Sequence, residues 1–113
     1  MRINTEQLRI LMLQVMKAYP NGVNADYLLA AVYHAAVADF IDLPDVMEHL
    51  AHENLITFSA SAALPKCCIL SDLGKSVLAE LGAAVPEEAV RAVKREYDSL
   101  TQGIEYTCSV QTD

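Results

Sequence analysis

Four side chains between Asp45 and His52 could do chemistry together. Asp45, Glu48, His49 and His52 recur at spacings of three and four, which on a helix sets them side by side on one face. Such a group has three uses. Asp45 with His49, and Glu48 with His52, can pair as i,i+4 neighbours on a solvated helix. His49, His52 and an adjacent acid could start a divalent-metal site, but no third and fourth ligands stand out, so no metal or other cofactor is expected. Histidines titrating near neutral pH could also make a contact pH-sensitive. The residue types favour plain helix-surface pairing. No Cys-x-x-Cys, Ser/His/Asp or Gly-rich phosphate-loop pattern occurs, and the chain does not read as an enzyme.

The other charged cluster is basic. Arg91, Lys94 and Arg95 stand at i, i+3 and i+4, with Glu87 and Asp98 four residues from Arg91 and Lys94. This is either a solvated face with local ion pairs or a phosphate-contacting face; Lys66 and Lys75 add two further cations. Three cysteines, Cys67, Cys68 and Cys108, read as reduced thiols. Neighbouring residues of a strand point to opposite faces, so Cys67 and Cys68 are poorly placed to bridge each other. One packs as a small apolar residue; Cys108 could alternatively serve a redox contact across a dimer.

Composition bounds the partners. The chain has 113 residues, 53% of them hydrophobic, and a net charge of −7, so it suits one domain with a real core. Nucleic-acid binders usually carry a basic patch. Here no Lys or Arg falls between Lys17 and Lys66, an interval that holds Asp26, Asp39, Asp42, Asp45, Glu48 and Glu53. No apolar run is long enough for a membrane span, and the N-terminus has no signal-peptide core. A cytoplasmic protein without membrane contact is expected.

The elements that must position these groups follow from caps and periodicity. Asn4 with Gln7 predicts a capping box and a helix over Thr5–Tyr19, with Leu8, Leu11, Met12, Val15 and Met16 at helical spacing. Asn24 caps a second helix, Ala25 to about Ala38, burying Leu28, Leu29, Val32 and Ala36. Asp42 caps a third with Pro44 in its first turn; Val46, Met47 and Leu50 face inward, and Asn54 takes the left-handed C-terminal position. Leu55–Ser59 and Lys66–Leu70 read as a hairpin. Ser71 caps a fourth helix, Asp72–Leu81, whose core face is Leu73, Val77, Leu78 and Leu81. Pro86 opens a fifth, with Val90, Val93, Tyr97 and Leu100 as a narrow stripe. Ile104–Val110 reads as a last strand that needs a partner.

Three helices, a hairpin and a helix make the order of a winged helix-turn-helix. The predicted fold is therefore mainly α with a small β-hairpin: a winged-helix domain over 1–84, followed over 85–113 by an extra C-terminal helix and strand for dimerisation or packing. Ser71-Asp72-Leu73-Gly74-Lys75 stands where winged-helix regulators often carry Thr-x-x-Gly-Lys, a cap followed by a Gly that lets the helix pack close to the wing.

Over residues 5 to 110 the chain resembles an uncharacterised bacterial family of winged-helix proteins, a domain of unknown function. Ala38-Asp39-Phe40-Ile41-Asp42-Leu43 stands where that family has an aromatic residue and Thr-Leu at a helix start. Glu48 to Ile56 matches its helix-to-strand exit, with Asn54 in place of Gly. Val85-Pro86-Glu87-Glu88 to Tyr97 matches an Ile-Pro-led helix. The resemblance implies gene regulation and further strands beyond the last helix, so the chain reads as a short variant or a truncation.

The DNA-reading helix of this fold would be Leu43–Glu53. Its outward positions are Pro44, Asp45, Glu48, His49 and His52, with Lys66 and Lys75 near the wing as the other candidate contacts. Phosphate contacts need cations, and base readout favours Arg, Lys, Asn or Gln. The two carboxylates argue against ordinary docking. Two functions stay open: a transcriptional regulator contacting duplex DNA, or a protein-interaction module on a winged-helix scaffold. A homodimer is expected in either case, through Leu8, Leu11, Met12 and Val15 of the first helix and Val90, Val93, Tyr97 and Leu100 of the fifth.

Overall fold

The structure, a computed structural model, describes residues 3–36, 43–58 and 67–102. Five α-helices and a three-stranded antiparallel sheet lie among the described residues, and helix predominates. In chain order these are α1 (Thr5–Lys17), β1 (Val23–Asn24), α2 (Ala25–His34), α3 (Leu43–His52), β2 (Ile56–Phe58), β3 (Cys67–Leu70), α4 (Asp72–Leu81) and α5 (Glu87–Thr101), with a 3-10 turn at Gly82–Ala84 before α5.

The capping box at α1 forms as its sequence predicts. Asn4 Oδ1 accepts from the Gln7 N–H at 2.7 Å, and Gln7 Oε1 accepts from the Asn4 N–H at 3.0 Å. The burial of α1 does not follow the amphipathic pattern. Leu8, Ile10, Leu11, Met12, Leu13, Val15 and Met16 are all buried, because α3, α4, α5 and β3 surround the helix. A helix apolar on most sides is a central one.

Asn24 serves two elements. Its residue pairs with Cys67, and Val23 with Cys68, making β1 an edge of the sheet. Its Oδ1 accepts from the Asp26 and Tyr27 N–H groups, capping α2. A two-residue strand has no alternation to detect, and the sequence reading contains none here. Helix α2 ends earlier than its helix-forming composition suggests: Ala36 has φ 57°, in the left-handed region, and is exposed rather than buried. The remainder of that predicted helix, and the Asp42 cap, lie outside the described residues.

Asn54 ends α3 with φ 63°. Its N–H donates to the Ala51 carbonyl at 3.1 Å, and the Leu55 N–H to the Leu50 carbonyl at 3.0 Å. These are the two bonds of a Schellman motif, and Leu50 and Leu55 are both buried beside it. The chain then enters β2, which pairs with β3 in the register Ile56↔Leu70, Thr57↔Ile69, Phe58↔Cys68. The strand order is β1-β3-β2. Lys66 and the connection between β2 and β3 lie outside the described residues, as does the predicted strand Ile104–Val110.

Ser71 ties α4 to the end of α3. Its Oγ accepts from the Gly74 N–H at 3.0 Å and donates to the Asn54 carbonyl at 2.6 Å, while its own N–H donates to the Leu55 carbonyl at 3.0 Å. Gly74 is needed at this junction: a Cβ there would stand 2.3 Å from the Leu55 carbonyl oxygen and 2.6 Å from Leu70 Cδ1.

Helix α5 packs on α2 and α1. Ala89, Val93 and Tyr97 belong to the same continuous core as α1–α4. The Tyr97 hydroxyl accepts from the Asn24 N–H at 3.0 Å, and the Tyr19 and Tyr97 rings lie 4.9 Å apart. No described helix is long and apolar enough to cross a membrane.

Candidate functional site

The outward face of α3 carries the residues singled out by their spacing. Asp45, Glu48 and His52 are exposed and His49 is half-buried; the side chains of Leu43 and Pro44 are outside the description. These groups line one shallow depression with Ala51. Their pairing differs from the expected one. His49 Nε2 meets Glu53 Oε1 at 2.9 Å, and the pairs Asp45–His49 and Glu48–His52 do not form. Both alternatives for His49 are i,i+4, and the partner nearer the helix C-terminus wins. Among the described residues no three His, Cys, Asp or Glu side chains gather to hold an ion. The face offers hydrogen-bond acceptors and two imidazoles, without Lys or Arg.

The cations lie elsewhere and are partly engaged. Arg91 binds Glu87 at 3.0 Å, as the spacing predicts. Asp98 does not serve Lys94; its Oδ1 accepts the Tyr19 hydroxyl at 2.5 Å. This bond and burial hold the Tyr19 phenol well above its ordinary pKa, burial being the larger cause. Lys75 is exposed, with Asp72 Oδ1 at 3.8 Å. Lys66 is outside the described residues.

The residues expected at a dimer interface are placed differently. Leu8, Leu11, Met12 and Val15 of α1, with Val93 and Tyr97 of α5, are at most 2% exposed within the chain's own core. Val90 and Leu100 are partly buried against that core. The apolar excess of α1 is consumed by contacts within the chain, so a dimer through these six fully buried side chains would require opening the core. Cys67 is disulfide-bonded, which corrects the reading of three reduced thiols; Cys68 is buried and outside a disulfide, and Cys108 lies outside the described residues.

A feature absent from the sequence reading is a cleft of about 730 Å³ between α1 and α4. Its apolar lining is Ile10, Leu13, Leu55, Leu73, Val77 and Leu81. Leu73 and Leu81, expected in the core, are 52% and 49% exposed. The signal was present in the spacing. Gly74 and Leu78 form one i,i+4 line and turn inward, whereas Leu73, Val77 and Leu81 form the next line round, at the margin. Arg9, Glu6, Glu53 and the capping pair Asn4 and Gln7 also line the cleft.

Comparison of this chain with protein families, with curated proteins and with solved structures finds no match.

Proposed function

We propose that this chain is a winged-helix scaffold of the transcriptional-regulator type that acts through protein contacts and does not place α3 in the major groove of duplex DNA. The scaffold reading is supported by the order helix, strand, helix, helix, strand, strand, by the strand order β1-β3-β2, and by the Asn54–Ser71–Gly74 junction. Fold alone does not fix function, so the weight rests on the surface of α3.

The observation that carries the reading is the acidic outward face of α3. Asp45 and Glu48 are exposed there beside two imidazoles, and the exposed Glu53 follows directly after the helix. A carboxylate brought to about 4 Å from a phosphate costs about 1 kcal/mol even at the dielectric of water. A docking protein gains affinity mainly by releasing counterions with cations, and this face supplies none. Polar acceptors on a rigid helix suit a partner protein that brings donors.

Two measurements test this. Fluorescence anisotropy with random-sequence duplex DNA across a salt series is expected to show no salt-dependent binding. A steep salt slope would overturn the proposal, and charge removal at Lys75, Arg91, Lys94 and Arg95 would then map the contacting face. A photo-crosslinking amino acid at position 52, placed in living cells, is expected to give a discrete protein adduct; a nucleic-acid adduct, or none, would count against the proposal.

A further inference from the structure

The cleft between α1 and α4 combines an apolar floor with the guanidinium of Arg9. The row Leu73, Val77, Leu81 runs about 12 Å along α4, at 1.5 Å per residue, and faces Ile10 and Leu13 of α1 across the cleft. Its volume falls within the range of small-molecule sites. Leu73 and Leu81 are two of the three large hydrophobic side chains that stand exposed among the described residues. Arg9 lines the same cleft, and its Nε is the single buried side-chain donor without an acceptor among the described residues. A buried donor of this kind calls for a partner, and a guanidinium fits a carboxylate in two-point geometry.

We propose that this cleft binds a small amphipathic carboxylate, its apolar body on Leu73, Val77 and Leu81 and its carboxylate on the Arg9 guanidinium. Glu6 and Glu53 also stand in the lining. Glu53 also meets His49 Nε2 at 2.9 Å, and both carboxylates oppose an anionic head. The apolar body therefore supplies most of the affinity, and Arg9 supplies the preference for an anionic head. The cleft shares Glu53 with the end of the α3 face, but the proposed contacts are made by Arg9 and α4, so the site stands or falls independently of the function proposed above.

The test is an amide NMR titration of the intact protein with octanoate and, separately, octan-1-ol. Shifts are expected to concentrate at Ile10, Leu13, Leu55, Leu73 and Val77, with octanoate binding about fivefold tighter or more, as for one charge-assisted hydrogen bond. Arg9→Met keeps the aliphatic stem and is expected to bring the two ligands to equal affinity while octanol binding stays unchanged. Arg9→Lys keeps a cation in the cleft and retains part of the preference. Leu73→Asp abolishes both interactions, with an unchanged far-ultraviolet circular dichroism spectrum. The proposal is overturned if wild-type shifts lie outside the cleft or are absent. It is equally overturned if octanoate binds no better than octanol, or if the preference survives Arg9→Met.

Discussion

Replacing Gly74 with alanine adds one methyl group where the structure has no room for it. The new Cβ would lie 2.3 Å from the Leu55 carbonyl oxygen, roughly 1 Å inside a normal contact, given that unstrained heavy-atom contacts stand at about 3.5 Å. That oxygen cannot simply retreat, because it accepts from the Ser71 N–H at 3.0 Å. Moving it loosens the bond that joins α4 to β2. Overpacking of one methylene costs about 1–3 kcal/mol, and a weakened backbone hydrogen bond costs about 1 kcal/mol. Against this, Gly→Ala in a helix interior gains about 1 kcal/mol, and less in the first turn, where Gly74 sits. The net expectation is a loss of about 2–3 kcal/mol, read as a lower urea midpoint at unchanged slope. Gly82→Ala is the internal control. Its Cβ would meet only the end of the Gln14 side chain, at 2.5 Å; moving that amide aside gives up its bond to the Gly82 carbonyl at 3.1 Å, so the expected loss is at most about 1 kcal/mol. A Gly74→Ala protein as stable as the wild type would refute the close-packing argument for this junction.

Two further predictions concern the pair formed by Tyr19 and Tyr97 of α5. Tyr97→Phe leaves the Asn24 N–H without the acceptor it has at 3.0 Å and should cost about 1 kcal/mol by urea denaturation; no loss would mean that water replaces the hydroxyl freely. The pKa values of Tyr19 and Tyr97 are raised above the ordinary value of 10.0, chiefly by burial, with the Asp98 hydrogen bond adding for Tyr19 and the Asn24 N–H opposing for Tyr97. The folded protein therefore holds these protons more tightly than the unfolded chain. Their contribution is fully present below pH 10.0 and is lost as pH climbs through and above it. Urea midpoints are expected to fall at alkaline pH, and Tyr19→Phe is expected to shallow that fall; an unchanged slope in the variant would contradict the assignment.

Local signals carried much of the fold in the sequence. Asn4, Asn24 and Ser71 cap the helices that their types suggested, because a side-chain oxygen beside free N–H groups is a local event. Asn54 in the left-handed position and Gly74 at the junction are local in the same sense. What escaped was tertiary. Periodicity shows that α1 is apolar, but not that four neighbours cover it, and the dimer surface assigned to Leu8, Leu11, Met12 and Val15 came from that gap. Likewise, the apolar positions of α4 occupy two adjacent lines, and only packing decides that Leu78 goes inward while Leu73 and Leu81 border a cleft. The choice of Glu53 over Asp45 by His49 depends on rotamers that spacing leaves open.

The place of α5 also bears on how the protein is made. During synthesis a chain emitted only as far as Ala84 has α1 to α4 and the sheet, but lacks Ala89, Val93 and Tyr97, which complete the core against α1 and α2. The Asn24 N–H that waits for the Tyr97 hydroxyl is 73 residues upstream. Long-range closures of this kind are slow to reward the entropy they consume. A nascent chain therefore keeps the flank of α2 uncovered until α5 has emerged, a window in which chaperones and proteases have first access.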